Sequence, residues 1–352
     1  MDADPVGRDG SGNETYLRGV IGGLQAAMAP TDELILFGGQ PDALHEILGP
    51  TGSVVALRPG LVGELTLGRL ARRARADVFV AHYNPPLAFG GPVATVIHDV
   101  SFRRTPEAYP RLLRGRIALT VRRAARVSAL VVTGSEFSRG ELLMLYRRLS
   151  PERVIVTPYA DRPGAVTGAS HTALAEVRAR HNLPDRFVLA VGNLQPRKNL
   201  GRLSQATASL DVPLVVVGQP RWRADEVRRQ AGYGSVTWLG YVSDDDLRHL
   251  YRLCTVFAYP SLYEGFGLPV VEAMACGAPV VTSNVSALPE VAGEAAVLVD
   301  PYSPEDIAAG IGRLLESPDL RADYARRGRV RAGQFSWKES AATLLRALRT
   351  LS

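Results

Sequence analysis

Two carboxylates, Glu264 and Glu272, flank a glycine-rich turn with seven residues between them in the run S-L-Y-E-G-F-G-L-P-V-V-E-A-M-A-C-G-A-P, Ser261 to Pro279. Ionised carboxylates accept hydrogen bonds and donate none, which suits them to sugar hydroxyls. The apolar run Thr255 to Tyr259 has the length of a buried strand, and Leu268 to Cys276 carries apolar residues at helical spacing. The turn therefore joins a strand to a helix, where Gly265 and Gly267 allow close backbone approach and the first N–H groups of the helix face an anion. A ligand with phosphates in its middle and polyols at both ends fits that arrangement, and a nucleotide-sugar is such a ligand. Taken alone, a Gly-Phe-Gly turn with two solvated glutamates would serve any strand-to-helix junction.

Two further clusters sit at strand ends. Val191 to Leu200 reads V-G-N-L-Q-P-R-K-N-L directly after an apolar run, placing Arg197 and Lys198 side by side near a strand's carboxyl end. A planar guanidinium and a mobile ammonium together neutralise a diphosphate, whereas cations at a helix start are disfavoured by the dipole unless something holds them there. His98-Asp99 follows the apolar run Ala94 to Ile97, and His82 follows Val78 to Ala81. A histidine in such a place is more often held by a backbone carbonyl than engaged in chemistry.

Together these segments resemble the retaining glycosyltransferases of family 4. The resemblance runs through the E-x7-E signature at Glu264 and Glu272, then Cys276 to Val281, Leu288-Pro289-Glu290-Val291, Gly293 and Val297 to Pro301. The segment with Arg197 and Lys198 is similar to that family's G-x-x-x-P-R-K-N loop, although Asn193 stands where many relatives carry an arginine. V-I-H-D-V-S-F is similar to the family's His-Asp element, above all in members that transfer mannose or similar hexoses to glycan or lipid-linked acceptors.

The resemblance implies the α/β GT-B fold: two Rossmann-like, doubly wound domains facing a central cleft. It implies a nucleotide-sugar donor, with GDP-mannose the first candidate, and a front-face retaining mechanism. Glu272 would bind the ribose, Glu264 the donor sugar, and the backbone from Gly265 through Phe266 and Gly267 to Leu268 sugar and phosphate. Arg197 and Lys198 would assist departure of the diphosphate. Gly12 would belong to the glycine loop of the first domain, His98 would face the sugar near the reacting carbon, and Asp99 would orient it or meet the acceptor.

The elements that must position these residues alternate between strand and helix. Apolar runs at Leu34 to Phe37, Val54 to Leu57, Val78 to Ala81, Ala94 to Ile97 and Leu130 to Thr133 form one set of strands. Phe187 to Val191, Pro213 to Val217, Val236 to Leu239, Thr255 to Tyr259, Pro279 to Thr282 and Ala296 to Val299 form a second. Alternation of this kind implies parallel doubly wound sheets. Only Met1 to Val6 precede the first helical pattern, so either a shortened opening strand or a clipped start of the chain is expected. Composition shifts toward Pro, Gly, Ala and Thr around Pro158 to Thr172, which gives a first domain 1–162, a second 163–335, and a terminal helix 336–352 that packs back on the first. Ser243, Ser303 and Ser336 are expected helix caps, and Ser138 with Glu141 a capping box.

A chain of 352 residues, 46% hydrophobic, is long enough for two buried cores, and it contains no apolar run of membrane-spanning length. Met1 to Asp9 is polar and acidic, unlike a leader, and the two cysteines, Cys254 and Cys276, lie in apolar segments. A cytoplasmic protein without a disulfide framework is expected. The net charge of +6 comes almost entirely from arginine and favours anionic partners. Asp244-Asp245-Asp246 and Asp2-Ala3-Asp4 have a spacing used for metals, but the first reads better as acidic residues in a helix's first turn. No essential metal is expected. Arg111, Arg114, Arg116, Arg122, Arg123 and Arg126 share one helical stretch with Leu113, Ile117, Val121 and Ala124. That pattern is a solvated face over a packing stripe, or a surface for peripheral contact with anionic lipid at the inner face of the cell membrane. No nucleic-acid module accompanies the arginines. A GT-B sugar-nucleotide epimerase and a non-catalytic nucleotide-sugar binder are the rival readings.

Overall fold

A computed structural model of the chain describes residues 1–8, 12–49, 52–58, 61–162, 170–221 and 223–351. The stretch 163–169, the middle of the expected linker, lies outside the described residues, as do 9–11 just before Gly12. The chain divides into two compact units, one comprising Met1–Val100, Leu112–Pro163 and Phe335–Ser352, the other Ser101–Arg111 and Gly164–Gln334. The short segment Ser101–Arg111 thus groups with the second unit, although sequence reading assigns it to the first domain.

The first unit holds β1 (Ile35–Gly38), β2 (Ser53–Ala56), β3 (Phe79–His82), β4 (Val93–Val96), β5 (Leu130–Thr133) and β6 (Val154–Val156). β1 pairs with β2, and β3 to β6 pair in sequence, all parallel. The opening residues join the two groups. Asp2 N–H donates to Val80 O at 2.8 Å, Ala3 N–H to Phe37 O at 2.8 Å, and Phe37 N–H to Met1 O at 3.0 Å. The short first strand expected from the sequence is therefore a single bridge threaded between β1 and β3. Phe37, Phe79 and Phe89 pack beneath it with Leu67, Ala71, Ala81 and Val93.

The second unit holds β7 (Val188–Val191), β8 (Leu214–Val217), β9 (Val236–Gly240), β10 (Val256–Tyr259), β11 (Val280–Ser283) and β12 (Val297–Val299). Their spatial order is β12-β11-β10-β7-β8-β9, again all parallel. The four residues of β8, β10 and β11 are buried throughout, which is why β8 and β10 read as unbroken apolar runs rather than alternating ones, while β11 ends in the buried Thr282 and Ser283. β9, at an edge, is half-buried along its length and keeps Thr237 and Trp238 in its middle. The chain lays β7, β8 and β9 outward in one direction, then returns to place β10 on the other flank of β7. The strand order reverses there.

Capping follows short-range chemistry. Ser243, Ser303 and Ser336 accept N–H bonds from Asp246, Asp306 and Glu339 at 3.1, 3.0 and 3.4 Å. The expected box at Ser138 and Glu141 is displaced by one turn. Ser135 is the cap, accepting from Ser138 N–H at 3.0 Å, and the helix already runs Glu136–Leu145. Ser138 Oγ is thereby released to donate to His98 O at 3.3 Å. Asp246 accepts from Arg180 and pairs with His181, and Asp4 pairs with Arg8, so both acidic runs serve ion pairs within the fold. Both cysteines are free, and among the described residues no helix is long and apolar enough to cross a membrane.

The terminal helix Trp337–Arg349 belongs to the first unit and packs along the helix Gly12–Ala27. Glycine makes that approach possible: a Cβ on Gly19 would fall inside the Trp337 indole, and one on Gly23 would strike the Trp337 carbonyl and Ala341. Trp337 Nε1 donates to Asp161 O at 2.7 Å and Ser340 Oγ to Pro158 O at 2.5 Å, so the helix also ties down the end of the first unit's main segment. Gly19→Val should lower stability by about 1–3 kcal/mol, the usual cost of forcing volume into a packed interface. Urea unfolding followed by tryptophan fluorescence would register the loss, and an unchanged midpoint would contradict the packing described here.

Candidate functional site

The loops leaving β7 and β10 are neighbours because those strands pair at the reversal of strand order, the place where doubly wound sheets bind ligands. A backbone bond from Leu262 N–H to Arg197 O, at 2.8 Å, stitches one loop to the other. After β7 the chain turns at Gly192, φ 144°, where a Cβ would press on Lys198 Cε at 3.1 Å. Pro196–Lys198 then forms one tight 3-10 turn, and Asn199, in the left-handed region at φ 61°, separates it from the helix Leu200–Ser209. The Asn199 side-chain amide donates to Pro260 O at 2.9 Å and Pro301 O at 2.7 Å. The cations therefore stand ahead of the helix, in a turn anchored to both neighbouring loops.

Both cations converge on one oxygen. Arg197 Nη1 lies 2.8 Å and Lys198 Nζ 2.7 Å from Glu264 Oε1. Arg197 also donates to Tyr263 O at 3.0 Å and Gln195 Oε1 at 3.2 Å. Lys198, one of two lysines in the chain, donates to the Tyr259 hydroxyl and sits 4.6 Å over that ring. Glu264, 6% exposed, is fixed from behind by its own N–H, which donates to Ser286 Oγ at 3.1 Å. Burial opposes its ionised form, but the charges of Arg197 and Lys198 and their hydrogen bonds prevail, holding the carboxyl down at about 2. These three side chains alone sum to +1, and Glu264 is buried while both cations are half-buried.

Glu272 lies one turn into the helix Leu268–Cys276, is 2% exposed, and accepts from the Tyr251 hydroxyl at 3.0 Å. Gly265, Phe266 and Leu268 are all buried. Gly267 adopts φ 103°, and a Cβ there would meet Leu288 Cδ2 at 2.6 Å. The fold itself demands this glycine, whereas the sequence reading had it there for a ligand's approach.

In the first unit, Gly12 opens the helix Gly12–Ala27, is exposed, and would carry a Cβ into open space. His98, 9% exposed, has both ring nitrogens engaged: Nε2 lies 2.6 Å from His82 Nε2 and Nδ1 2.5 Å from the Tyr159 hydroxyl. Burial pushes the His98 imidazole down to about 3, and burial with the neighbouring His98 holds His82 well below its ordinary value, so both rings are neutral at pH 7. Asp99 follows, half-buried. The structure thus gathers Arg197, Lys198 and Glu264 into one cluster with Glu272 a helical turn on, all in the second unit. Gly12, His98 and Asp99 belong to the first.

Sequence reasoning missed the residues that hold these groups. Tyr251 and Tyr259 end an apolar helical stripe and an apolar strand, where an aromatic reads as core, and their hydroxyls are what reach Glu272 and Lys198. Ser286, at φ 60°, carries no sequence signal beyond its turn. Tyr159 lies in the proline-rich stretch read as linker.

Comparison with known proteins bears on the same segments. Residues 175–331 match a family model described as glycosyl transferases group 1. The O-antigen chain mannosyltransferase B of Escherichia coli is 34% identical over 267 residues, 73% of this chain and 70% of that protein. The MMP alpha-(1->4)-mannosyltransferase of Mycolicibacterium hassiacum is 32% identical over 308 residues, 79% of this chain and 72% of that one. The solved structure of Anabaena HepE in complex with UDP-glucose aligns at a TM-score of 0.76 and 20% identity over 99% of this chain and 98% of that one. The fold is GT-B, with two Rossmann-like domains.

Removing the Glu264 charge should leave two cations buried against each other. Glu264→Gln is expected to cost about 3–5 kcal/mol of stability at pH 7, the usual penalty for breaking a buried ion pair. Its folded-state pKa is depressed, so the contribution is full above about 4.5 and is lost as pH falls toward 2. The gap between wild type and variant in denaturant unfolding should therefore close below pH 4.5. A gap that is absent at pH 7, or constant through that window, would contradict the cluster.

Proposed function

Because this chain belongs to the group 1 glycosyl transferases and is a hexosyltransferase, we propose that it transfers mannose from GDP-mannose to a hydroxyl of a glycan or lipid-linked acceptor, with retention of anomeric configuration. The observation that carries the reading is the buried Arg197–Lys198–Glu264 cluster, net +1, at the reversal of strand order. The two relatives named as mannosyltransferases support the sugar, and HepE, in complex with UDP-glucose, supports a nucleotide-sugar donor.

In this reading the donor diphosphate lies against Arg197 and Lys198, which stabilise the charge growing on it as the glycosidic bond breaks. Glu272 takes the ribose hydroxyls, with Tyr251 holding its second oxygen. The backbone from Gly265 to Leu268 meets sugar and phosphate, and Gly12, the first residue of its helix, is kept as a donor contact on the family resemblance. Asp99 orients the sugar or meets the acceptor. A double displacement would need Glu264 as nucleophile. A carboxylate held ionised by two cations, at a pKa of about 2, is a weak base and a weak nucleophile. Glu264 instead positions sugar hydroxyls and cations, and the departing phosphate oxygen accepts the acceptor's proton on the same face of the sugar. The two cations supply the charge that a metal supplies elsewhere, so activity is expected to survive chelation.

A screen of nucleotide-sugars should give turnover with GDP-mannose, acceptor-dependent release of GDP and an α-linked product by NMR, insensitive to EDTA. Glu272→Ala should raise the donor dissociation constant roughly tenfold or more, the value of a hydrogen-bonded charge, and His98→Ala should chiefly lower turnover. Wild-type constants in both variants would sink the site assignment. Binding without turnover in the presence of acceptors would mark a non-catalytic binder, and epimerised nucleotide-sugar an epimerase.

Contact with anionic lipid has its own support. The helix Arg111–Val127 leaves Leu112 and Leu119 90% and 70% exposed, one heptad apart, among its arginines. The buried stripe beneath is Val121, Ala124 and Ala125, with Leu113 and Ile117 half-buried. Co-sedimentation with phosphatidylglycerol vesicles at low salt, weakened by Leu112→Ser with Leu119→Ser, is the expected outcome. No binding to such vesicles would remove the membrane from the account.

A further inference from the structure

Resting on the mannosyltransferase reading, we infer that His82 supplies the first unit's hydrogen bond to a substrate hydroxyl, and that His98 and Tyr159 act behind it as positioning residues. His98 is the poorer candidate for that contact, since its Nε2 is taken by His82 and its Nδ1 by Tyr159. Its ring is also boxed in, with Tyr16 edge-on at 4.9 Å, and its carbonyl accepts from Ser138. Tyr159, in turn, lies parallel to Trp337 of the terminal helix, with centroids 6.0 Å apart.

His82 occupies the outer end of this chain of bonds. It is the last residue of β3, at the carboxyl edge of the sheet, and it is more exposed than His98. Among the described residues its Nδ1 makes no hydrogen bond. Tyr83, in the left-handed region at φ 60°, turns the chain there and sets its ring edge-on to His82 at 5.3 Å.

Proton bookkeeping couples the inner end to the outer one. Each neutral imidazole carries one N–H, and the bond between the two Nε2 atoms needs one proton. If the Tyr159 hydroxyl donates to His98 Nδ1, His98 must be protonated on Nε2 and donate to His82, which then shows an N–H at Nδ1. If His98 donates to Tyr159 instead, His82 donates inward and shows a bare nitrogen. The buried tyrosine therefore decides whether the outer atom donates to a hydroxyl oxygen or accepts its proton.

Two substitutions separate the roles. Asparagine at 82 reproduces the outer nitrogen's position, and glutamine reproduces the inner one. His82→Gln should keep the bond to His98 yet lower kcat/KM about tenfold, the value of one hydrogen bond near the reacting sugar, while His82→Asn should retain more activity than His82→Gln. Tyr159→Phe should change the tautomer balance of both histidines in 15N spectra of the ligand-free protein. Wild-type kinetics in His82→Gln, or better activity in His82→Gln than in His82→Asn, would overturn the contact. Unchanged tautomers in Tyr159→Phe would overturn the coupling. The spectral arm needs no substrate, so a wild-type protein inactive toward every donor would fault the mannosyltransferase reading while the spectra still judged the relay.

Discussion

A single buried carboxylate oxygen shared by two half-buried cations holds two loops of the second unit together. Without Glu264, the turn bearing Arg197 and Lys198 would bring two like charges together out of water, a cost of several kcal/mol that no backbone hydrogen bond repays. With it, the loops after β7 and β10 are locked to each other through one shared oxygen. The surrounding devices serve that arrangement: Asn199 stops the turn from winding into the helix, Gly192 clears the lysine's path, and Ser286 Oγ accepts from the Glu264 backbone N–H.

The sheet makes this cluster possible. Reversal of strand order puts β7 and β10 side by side although 64 residues separate Val191 from Thr255 in sequence, and only there do two loops leave neighbouring strands toward opposite flanks. The strands can be short and mostly apolar because they are buried, so the loops leave a rigid base. The first unit solves a similar problem differently. Its histidine site is neutral, with aromatic rings and hydrogen-bonded nitrogens in place of ion pairs, and its rigidity comes from a terminal helix that glycine lets approach within ring contact.

Much of this was legible in the residues. The eleven apolar runs read as strands fall within a residue or so of β1–β5 and β7–β12, because fully buried parallel strands leave unbroken apolar text. β6 is not legible in the text, since Val154–Val156 is only three residues long and lies between the turn opened by Pro151 and Pro158. The carboxylates, the cation pair and His98 were visible as polar residues at the ends of apolar runs. Their partners were not, because pairing is set by three-dimensional proximity. Nothing in the text says that Arg197 and Lys198 meet Glu264, 66 residues on, or that Tyr251 rather than water faces Glu272. Ser135 and Ser138 show the local limit: the text offers both as caps, and in the fold Ser135 caps the helix while Ser138 donates to the His98 carbonyl.

A crystal structure with GDP bound tests the account most directly. The diphosphate should lie within hydrogen-bond distance of both Arg197 and Lys198, with the ribose hydroxyls on Glu272 and the Tyr251 bond retained. A nucleotide seated away from the loops after β7 and β10, or cations that still face only Glu264, would contradict it.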